Sequence, residues 1–90
     1  MTSRKRRLYF FDDTHSGYGE MNRVTELKKL GSHIRAIRME KNMTQMQFAK
    51  ACVLDRNYIG MLERGERNPT YITLLKLSEQ LGVSVSQLID

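Results

Sequence analysis

Residues 44–64 (TQMQFAKACVLDRNYIGMLER) constrain the fold more than any other part of this chain. The pattern predicts two short helices joined by a tight turn. Thr44 is a suitable N-cap, and Gln47, three residues later, completes a capping box. The first helix has one apolar face, followed by a second apolar set beyond the turn: Phe48, Ala49 and Cys52, then Leu54, Ile59 and Leu62.

The outer face of the second helix carries hydrogen-bonding groups and little bulk. It comprises Asp55, Arg56, Asn57, Tyr58, Gly60 and Met61. One buried helix followed by one with such an exposed face suits the reading of base edges in a major groove. Arginine can bond guanine bidentately and asparagine can bond adenine, so Arg56 and Asn57 are predicted to read bases. Gly60 would allow a close approach to DNA, and Met61 could touch a thymine methyl, so both are added to the predicted base-reading residues. Two alternatives remain: Gly60 could approach another backbone, and Met61 could be an exposed apolar residue without a role.

The spacing resembles the helix-turn-helix of the Cro and phage-repressor family. The matching positions are Thr44, Gln45, Phe48, Ala49, Cys52, Leu54, Tyr58, Ile59, Gly60, Leu62, Glu63, Arg64 and Gly65. The sequence that follows also matches, so the resemblance covers roughly residues 29–90. Within this family, LDRNYIGMLERGERNP is most similar to the small controller proteins of restriction–modification systems.

The resemblance and the periodicity together predict an all-α chain: a compact five-helix bundle with a helix-turn-helix, plus an N-terminal extension. We expect an arm-like extension over residues 1–21 and a DNA-binding domain over residues 22–90. Helix one should start near Asn22, and helix four should bury Ile72, Leu74, Leu75, Leu77 and Leu81. The expected helices are Asn22–Lys41, Gln45–Cys52, Asp55–Arg64, Tyr71–Leu81 and a last helix capped by Ser84 and ending at Ile89.

Several further roles follow from the resemblance alone. It implies an ion pair between Arg38 and Glu63 that fixes helix one against the recognition helix, which makes Glu63 structural rather than catalytic. Contacts to the DNA backbone are expected from Thr44, Gln45, Lys50, Tyr58, Arg64, Arg67 and Asn68. Such contacts position the protein on DNA without reading its sequence.

Two positions raise questions of backbone geometry. The family usually has Gly or Asn where this chain has Val53, and a β-branched residue resists the positive φ that the position tends to need. We therefore expect either a rebuilt turn or a strained valine. Gly31 weakens helix one by about 1 kcal/mol relative to Ala, so it marks either the start of the family-like helix or a close approach by another helix.

The N-terminal segment lies outside the resemblance. Its basic cluster, Arg4–Arg7, has three interpretations: a solvated arm, an arm that reaches phosphates or a minor groove, or a contact for a partner or targeting factor. The apolar run Leu8–Phe11 is expected to pack on the bundle or on a dimer mate, since it is unfavourable in water.

Composition narrows the classes of function. Ninety residues allow one small domain, and 15 Lys and Arg against 10 Asp and Glu fit an anionic partner.

The single cysteine, Cys52, is interpreted as a buried hydrophobic residue, with a redox switch as the alternative. His15 and His33 lack companions at ligand spacing, so no metal or cofactor is expected. An enzyme is disfavoured because no paired carboxylates, phosphate loop or nucleophile with its base is evident, and no apolar run is long enough for a membrane span.

The sequence thus favours a sequence-specific transcription regulator that binds double-stranded DNA as a homodimer at a palindromic or near-palindromic site, in the bacterial cytoplasm at the nucleoid. The resemblance to controller proteins implies that it regulates its own gene and the endonuclease gene of a restriction–modification system. RNA polymerase is a further candidate partner. The candidate dimer residues are Val83, Val85, Leu88 and Ile89, with packing in the core of the same chain as the alternative. A phage-type repressor or an antitoxin would use the same DNA-binding domain. A protein-binding adaptor without DNA is the alternative from another class.

Overall fold

The computed structural model describes the backbone of residues 17–90 and the side chains of residues 22–90. This part of the chain is entirely α-helical, as expected, and its helices follow one another with short links. Their bounds are α1 Gly17–Glu40, α2 Gln45–Cys52, α3 Arg56–Glu63, α4 Tyr71–Leu81 and α5 Val85–Ile89. The order confirms the five-helix bundle with a helix-turn-helix formed by α2 and α3.

The start of α1 differs from the sequence prediction. The helix begins at Gly17 rather than near Asn22, so it crosses the division expected between extension and domain. Asn22 is a plausible cap by residue type, but Glu20 and Met21 before it are good helix formers and no proline interrupts the run. The basic cluster Arg4–Arg7, the apolar run Leu8–Phe11 and His15 lie outside the described residues.

One apolar core joins all five helices. Its buried members are Ile34, Phe48, Ala49, Cys52, Ile59, Leu62, Leu77, Leu81 and Leu88. Leu88 has 0% exposure, so for this candidate dimer residue the structure supports the alternative interpretation, packing in the core of its own chain. A hydrogen bond of 2.9 Å between His33 Nδ1 and the Leu88 carbonyl oxygen also fastens α5 to α1.

Side-chain caps define the starts of the four shorter helices. The hydroxyls of Thr44 and Ser84 accept from the amides of their N3 glutamines in complete capping boxes. Asp55 accepts from the Asn57 amide at 2.7 Å, so it caps α3, and Thr70 accepts from the Thr73 amide to cap α4. These bonds satisfy amides that a helix leaves unpaired at its first turn, which is why the helix starts could be read from the sequence.

Gly31 lies where α1 crosses the end of α3. A methyl group built on Gly31 would stand 2.4 Å from the Leu62 carbonyl oxygen and 2.5 Å from that of Glu63. Both neighbours are backbone atoms and cannot rotate away. The close approach of a second helix, one of the two alternatives for this glycine, is therefore the one that the structure supports.

Val53 adopts the left-handed backbone conformation, although a β-branched residue resists the positive φ that this position requires. It is the C-cap of α2, with φ 56° and ψ 48°, and its amide closes the helix on the carbonyls of Ala49 and Lys50. Its side chain is 85% exposed, so burial provides little compensation. The turn is thus not rebuilt, and Val53 carries the backbone strain of a β-branched residue in this region.

We predict that Val53→Gly stabilises the protein by about 1 kcal/mol, because glycine enters the left-handed region without a Cβ penalty. Equilibrium denaturation in urea would measure the change. Val24→Gly is the matched control: Val24 lies within α1, where the same substitution should destabilise. If both variants lose stability, the account of strain at Val53 is wrong.

Candidate nucleic-acid interface

A buried ion pair holds α3 against α1. Arg38 Nε donates to Glu63 Oε2 at 2.6 Å, and Arg38 Nη2 donates to Glu63 Oε1 at 3.0 Å. A third bond runs from Arg38 Nη1 to the Met43 carbonyl oxygen at 2.7 Å, so the guanidinium also fastens the link between α1 and α2. This bidentate geometry is the arrangement in which an arginine–carboxylate pair is strongest.

Glu63 also bonds a residue at the start of α2. Gln45 Nε2 donates to Glu63 Oε1 at 3.0 Å, so one carboxylate connects α1, α2 and α3. The family resemblance predicts a DNA-backbone contact for Gln45, and this bond to Glu63 is an additional finding. The sequence shows a glutamine at the first position of α2, but it does not show that this residue lies beside Glu63. The hydrogen bond between them could therefore not be predicted.

The outer face of α3 gathers the four predicted base-reading residues. Arg56 and Asn57 are exposed in its first turn, Met61 is half-buried, and Gly60 is buried in the floor between them. Together with Gln45 and Arg64 they line an open recess of about 330 Å³. The recess presents guanidinium and amide groups around a floor that lacks a side chain, so it can admit the edge of a planar polar ligand.

The predicted backbone contacts lie in three places. Thr44 and Lys50 are exposed at either end of α2, with the Thr44 hydroxyl engaged as a cap. Tyr58 is half-buried and packs against the core. Arg67 and Asn68 are exposed in the loop after α3.

Arg64 forms an exposed ion pair at the end of α3. Its Nε and Nη2 atoms donate to Glu66 at 3.0 and 3.2 Å. These hydrogen bonds raise the pKa of Arg64 and lower the pKa of Glu66 below its usual range. Glu66 therefore competes with any phosphate for Arg64, a contact that the sequence analysis did not consider. Such an exposed pair contributes little stability.

Three further features concern metal ligands, the single cysteine and the length of the helices. Among residues 22–90, whose side chains the structure describes, no cluster of His, Cys, Asp and Glu could hold a metal ion. Burial raises the pKa of the Cys52 thiol to about 11, against an opposing effect of Lys76, so the thiol stays protonated at neutral pH. This favours the buried-hydrophobe interpretation of Cys52 over a redox switch. No helix described here is long and apolar enough to cross a membrane.

A second exposed surface is apolar. Ile72 and Leu75 were expected to be buried, yet Ile72 is 62% exposed and Leu75 36% exposed, and Tyr71 beside them is exposed as well. Ile89 on α5 is 46% exposed, whereas Val83 and Val85 are half-buried. The prediction that Ile72 and Leu75 pack inside the chain is wrong. We call Tyr71, Ile72, Leu75 and Ile89 the α4–α5 apolar residues.

Comparison with known proteins identifies the domain. Residues 34–88 match the helix-turn-helix family HTH_3, which covers all of α2, α3 and α4. The chain belongs to this helix-turn-helix family. It is thus a DNA-binding, helix-turn-helix transcription regulator, and the recess on α3 lies on its recognition helix.

Individual relatives narrow the type of regulator. The chain is 43% identical to the control protein C.BamHI of Bacillus amyloliquefaciens over 61 residues, which are 67% of this chain and 75% of that protein. The restriction–modification controller protein C.AhdI from Aeromonas hydrophila has a similar structure, with a TM-score of 0.70 and 36% identity over 71% of this chain and 97% of that one.

A phage protein is also similar. The immunity repressor of Bacillus phage phi105 is 38% identical over 60 residues, but these are 67% of this chain and only 42% of the repressor. The family thus includes regulators of several kinds, and this chain stands close to the restriction–modification controllers.

Proposed function

We propose that the protein is a restriction–modification controller that binds a palindromic operator as a homodimer and regulates its own gene. The observation that carries the DNA-reading part of the proposal is the recess on α3, where Arg56 and Asn57 stand exposed over the Gly60 floor. The net charge of +5 favours an anionic partner. We expect a regulator of this kind in the bacterial cytoplasm, at the nucleoid. RNA polymerase is a further candidate partner.

The similarity to controller proteins supports the choice of circuit. Those relatives match over most of their own length, whereas the phi105 repressor matches over less than half of its length. A phage-type repressor or an antitoxin is the second candidate, because both would use the same domain. The adaptor alternative, which needs no DNA, leaves the polar recess on α3 unexplained.

The α4–α5 apolar residues support the dimer. Ile72 and Leu75 are one turn apart on α4, so they lie on one side of that helix, and both are exposed in the single chain. Exposed apolar side chains grouped in this way are typical of interaction surfaces. We propose that a second copy covers Ile72 and Leu75, with Val83, Val85 and Ile89 as the remaining candidates. Two recognition helices about 34–36 Å apart would then read two half-sites.

The function is tested by titrating DNA from immediately upstream of this gene with the full chain, at two salt concentrations and with random-sequence competitor. A discrete complex that survives the competitor is the expected result, and its footprint should be two-fold symmetric. A complex that the competitor abolishes would contradict autoregulation at that DNA. Absence of any complex with folded protein would favour the adaptor alternative.

Two arginine variants sharpen the same titration. Arg56→Ala should cost about 1–3 kcal/mol at the specific site and relax the base preference at one position. Arg67→Ala should weaken binding to all DNA alike and reduce the salt slope by about one unit. An unchanged base preference in Arg56→Ala would exclude its reading role, and altered base discrimination in Arg67→Ala would show that Arg67 is more than a backbone contact.

For the dimer, we predict that Ile72→Lys converts the protein to a monomer at micromolar concentration, because burying an ammonium group at the interface is costly. Analytical ultracentrifugation would measure the mass. Val24→Lys is the matched control, since Val24 is an exposed apolar residue on a different helix, and it should leave the dimer intact. A dimer that persists in Ile72→Lys would place the interface elsewhere.

A further inference from the structure

Glu63 determines which way the amide of Gln45 points. The Glu63 side chain is 2% exposed and is paired with Arg38. An ionised carboxylate can only accept hydrogen bonds, so the group that faces it must be the Gln45 amide nitrogen. The 3.0 Å bond from Gln45 Nε2 to Glu63 Oε1 therefore fixes an amide orientation that is otherwise interchangeable.

The rest of the Gln45 amide faces the recess on α3. A methyl group built on Gly60 would lie 3.7 Å from Gln45 Oε1 and 3.9 Å from Gln45 Nε2, so both ends of the amide border the recess floor. Bonding to Glu63 uses one of the two hydrogens on Nε2. The amide thus keeps one acceptor, Oε1, and one further hydrogen on Nε2 for a second partner.

This pair of groups matches adenine. In the major groove adenine presents a donor at N6 beside an acceptor at N7, and a glutamine amide can bond both at once. Guanine presents two acceptors there, and cytosine presents a donor without the neighbouring acceptor. A phosphate offers acceptors only, so it could bond the remaining Nε2 hydrogen but not Oε1.

We propose that Gln45, positioned by Glu63, is a base-reading residue that selects adenine in the recess on α3, rather than a contact to the DNA backbone. The inference rests on the proposed function, since it assumes that the recess receives the edges of bases. Four features support it: the bond to Glu63, the burial of that carboxylate, the amide edge over Gly60 and the membership of Gln45 in the recess.

Gly60 has a defined part in this arrangement, because any side chain there would occupy the space between the amide and the base. The nearest atom to a methyl group on Gly60 is Arg64 Nη1 at 3.3 Å, the end of a flexible side chain. The fold should therefore tolerate Gly60→Ala, in contrast to Gly31, which meets backbone. Alanine also favours the helix over glycine.

The test uses a duplex selected by the full chain from a randomised pool, in which each position is then replaced by the other three bases. Affinities are measured for the wild type, Gln45→Met and Gly60→Ala, at several salt concentrations. Gln80→Met on α4 is the matched control, because Gln80 is exposed and is not among the residues that line the recess. Circular dichroism and thermal melting check that each variant is folded.

We expect the wild type to prefer adenine at one position of each half-site by about 5- to 150-fold, which corresponds to 1–3 kcal/mol of discrimination. Gln45→Met and Gly60→Ala should lose that preference and keep the salt slope, and Gln80→Met should behave as the wild type. Uniform weakening with a flatter salt slope would make Gln45 a phosphate contact and overturn the inference.

Two other outcomes would also overturn it. If Gln45→Met keeps every base preference, Gln45 does not read bases. If it loses a preference for guanine instead, Gln45 acts through a neighbouring arginine. Failure of the folded wild type to select any duplex would refute the proposed function itself, and this result is distinguishable from the others because it appears before any variant is tested.

Discussion

The bidentate ion pair between Arg38 and Glu63 is the interaction on which the rest of the structure depends. It joins the last turn of the long helix α1 to the last residue of the recognition helix, and a third bond to Met43 fixes the link into α2. Replacing both members of a buried ion pair with well-packed apolar residues often leaves the free energy of unfolding unchanged or raises it. Removing only one member leaves an unpaired buried charge and strongly destabilises the fold. The pair therefore sets the geometry of three helices more than it sets the overall stability.

The position of Glu63 also determines the arrangement of groups at the recess on α3. Because Glu63 is held by Arg38, it can hold Gln45 in turn, and the amide of Gln45 borders the recess over Gly60. Two glycines make the arrangement possible for different reasons. Gly31 lets the backbone of α1 approach the end of α3, and Gly60 leaves the recess floor without a side chain. The buried Glu63 carboxylate thus bonds both Arg38, which holds α1 against α3, and Gln45, which borders the recess.

Much of the fold could be predicted from the sequence because its signals are local. Helix caps such as Thr44 and Asp55 act within one turn, so they give helix starts directly. What could not be predicted depends on distant packing. Apolar periodicity placed Ile72 on the apolar face of α4, whereas the structure exposes it, and the sequence could not decide whether Leu88 packs in the core of its own chain or against a dimer mate. The bond from Gln45 to Glu63 spans 18 residues, and no spacing rule within a helix could reveal it.

A double-mutant cycle at Arg38 and Glu63 tests the central claim most directly. The free energy of unfolding would be measured for Arg38→Met, Glu63→Leu and the double variant. We predict that each single substitution costs about 3–5 kcal/mol and that the double costs at least about 2 kcal/mol less than the sum, because it leaves no unpaired buried charge. Costs that add within about 0.5 kcal/mol would contradict the claim that this pair holds α1 against α3.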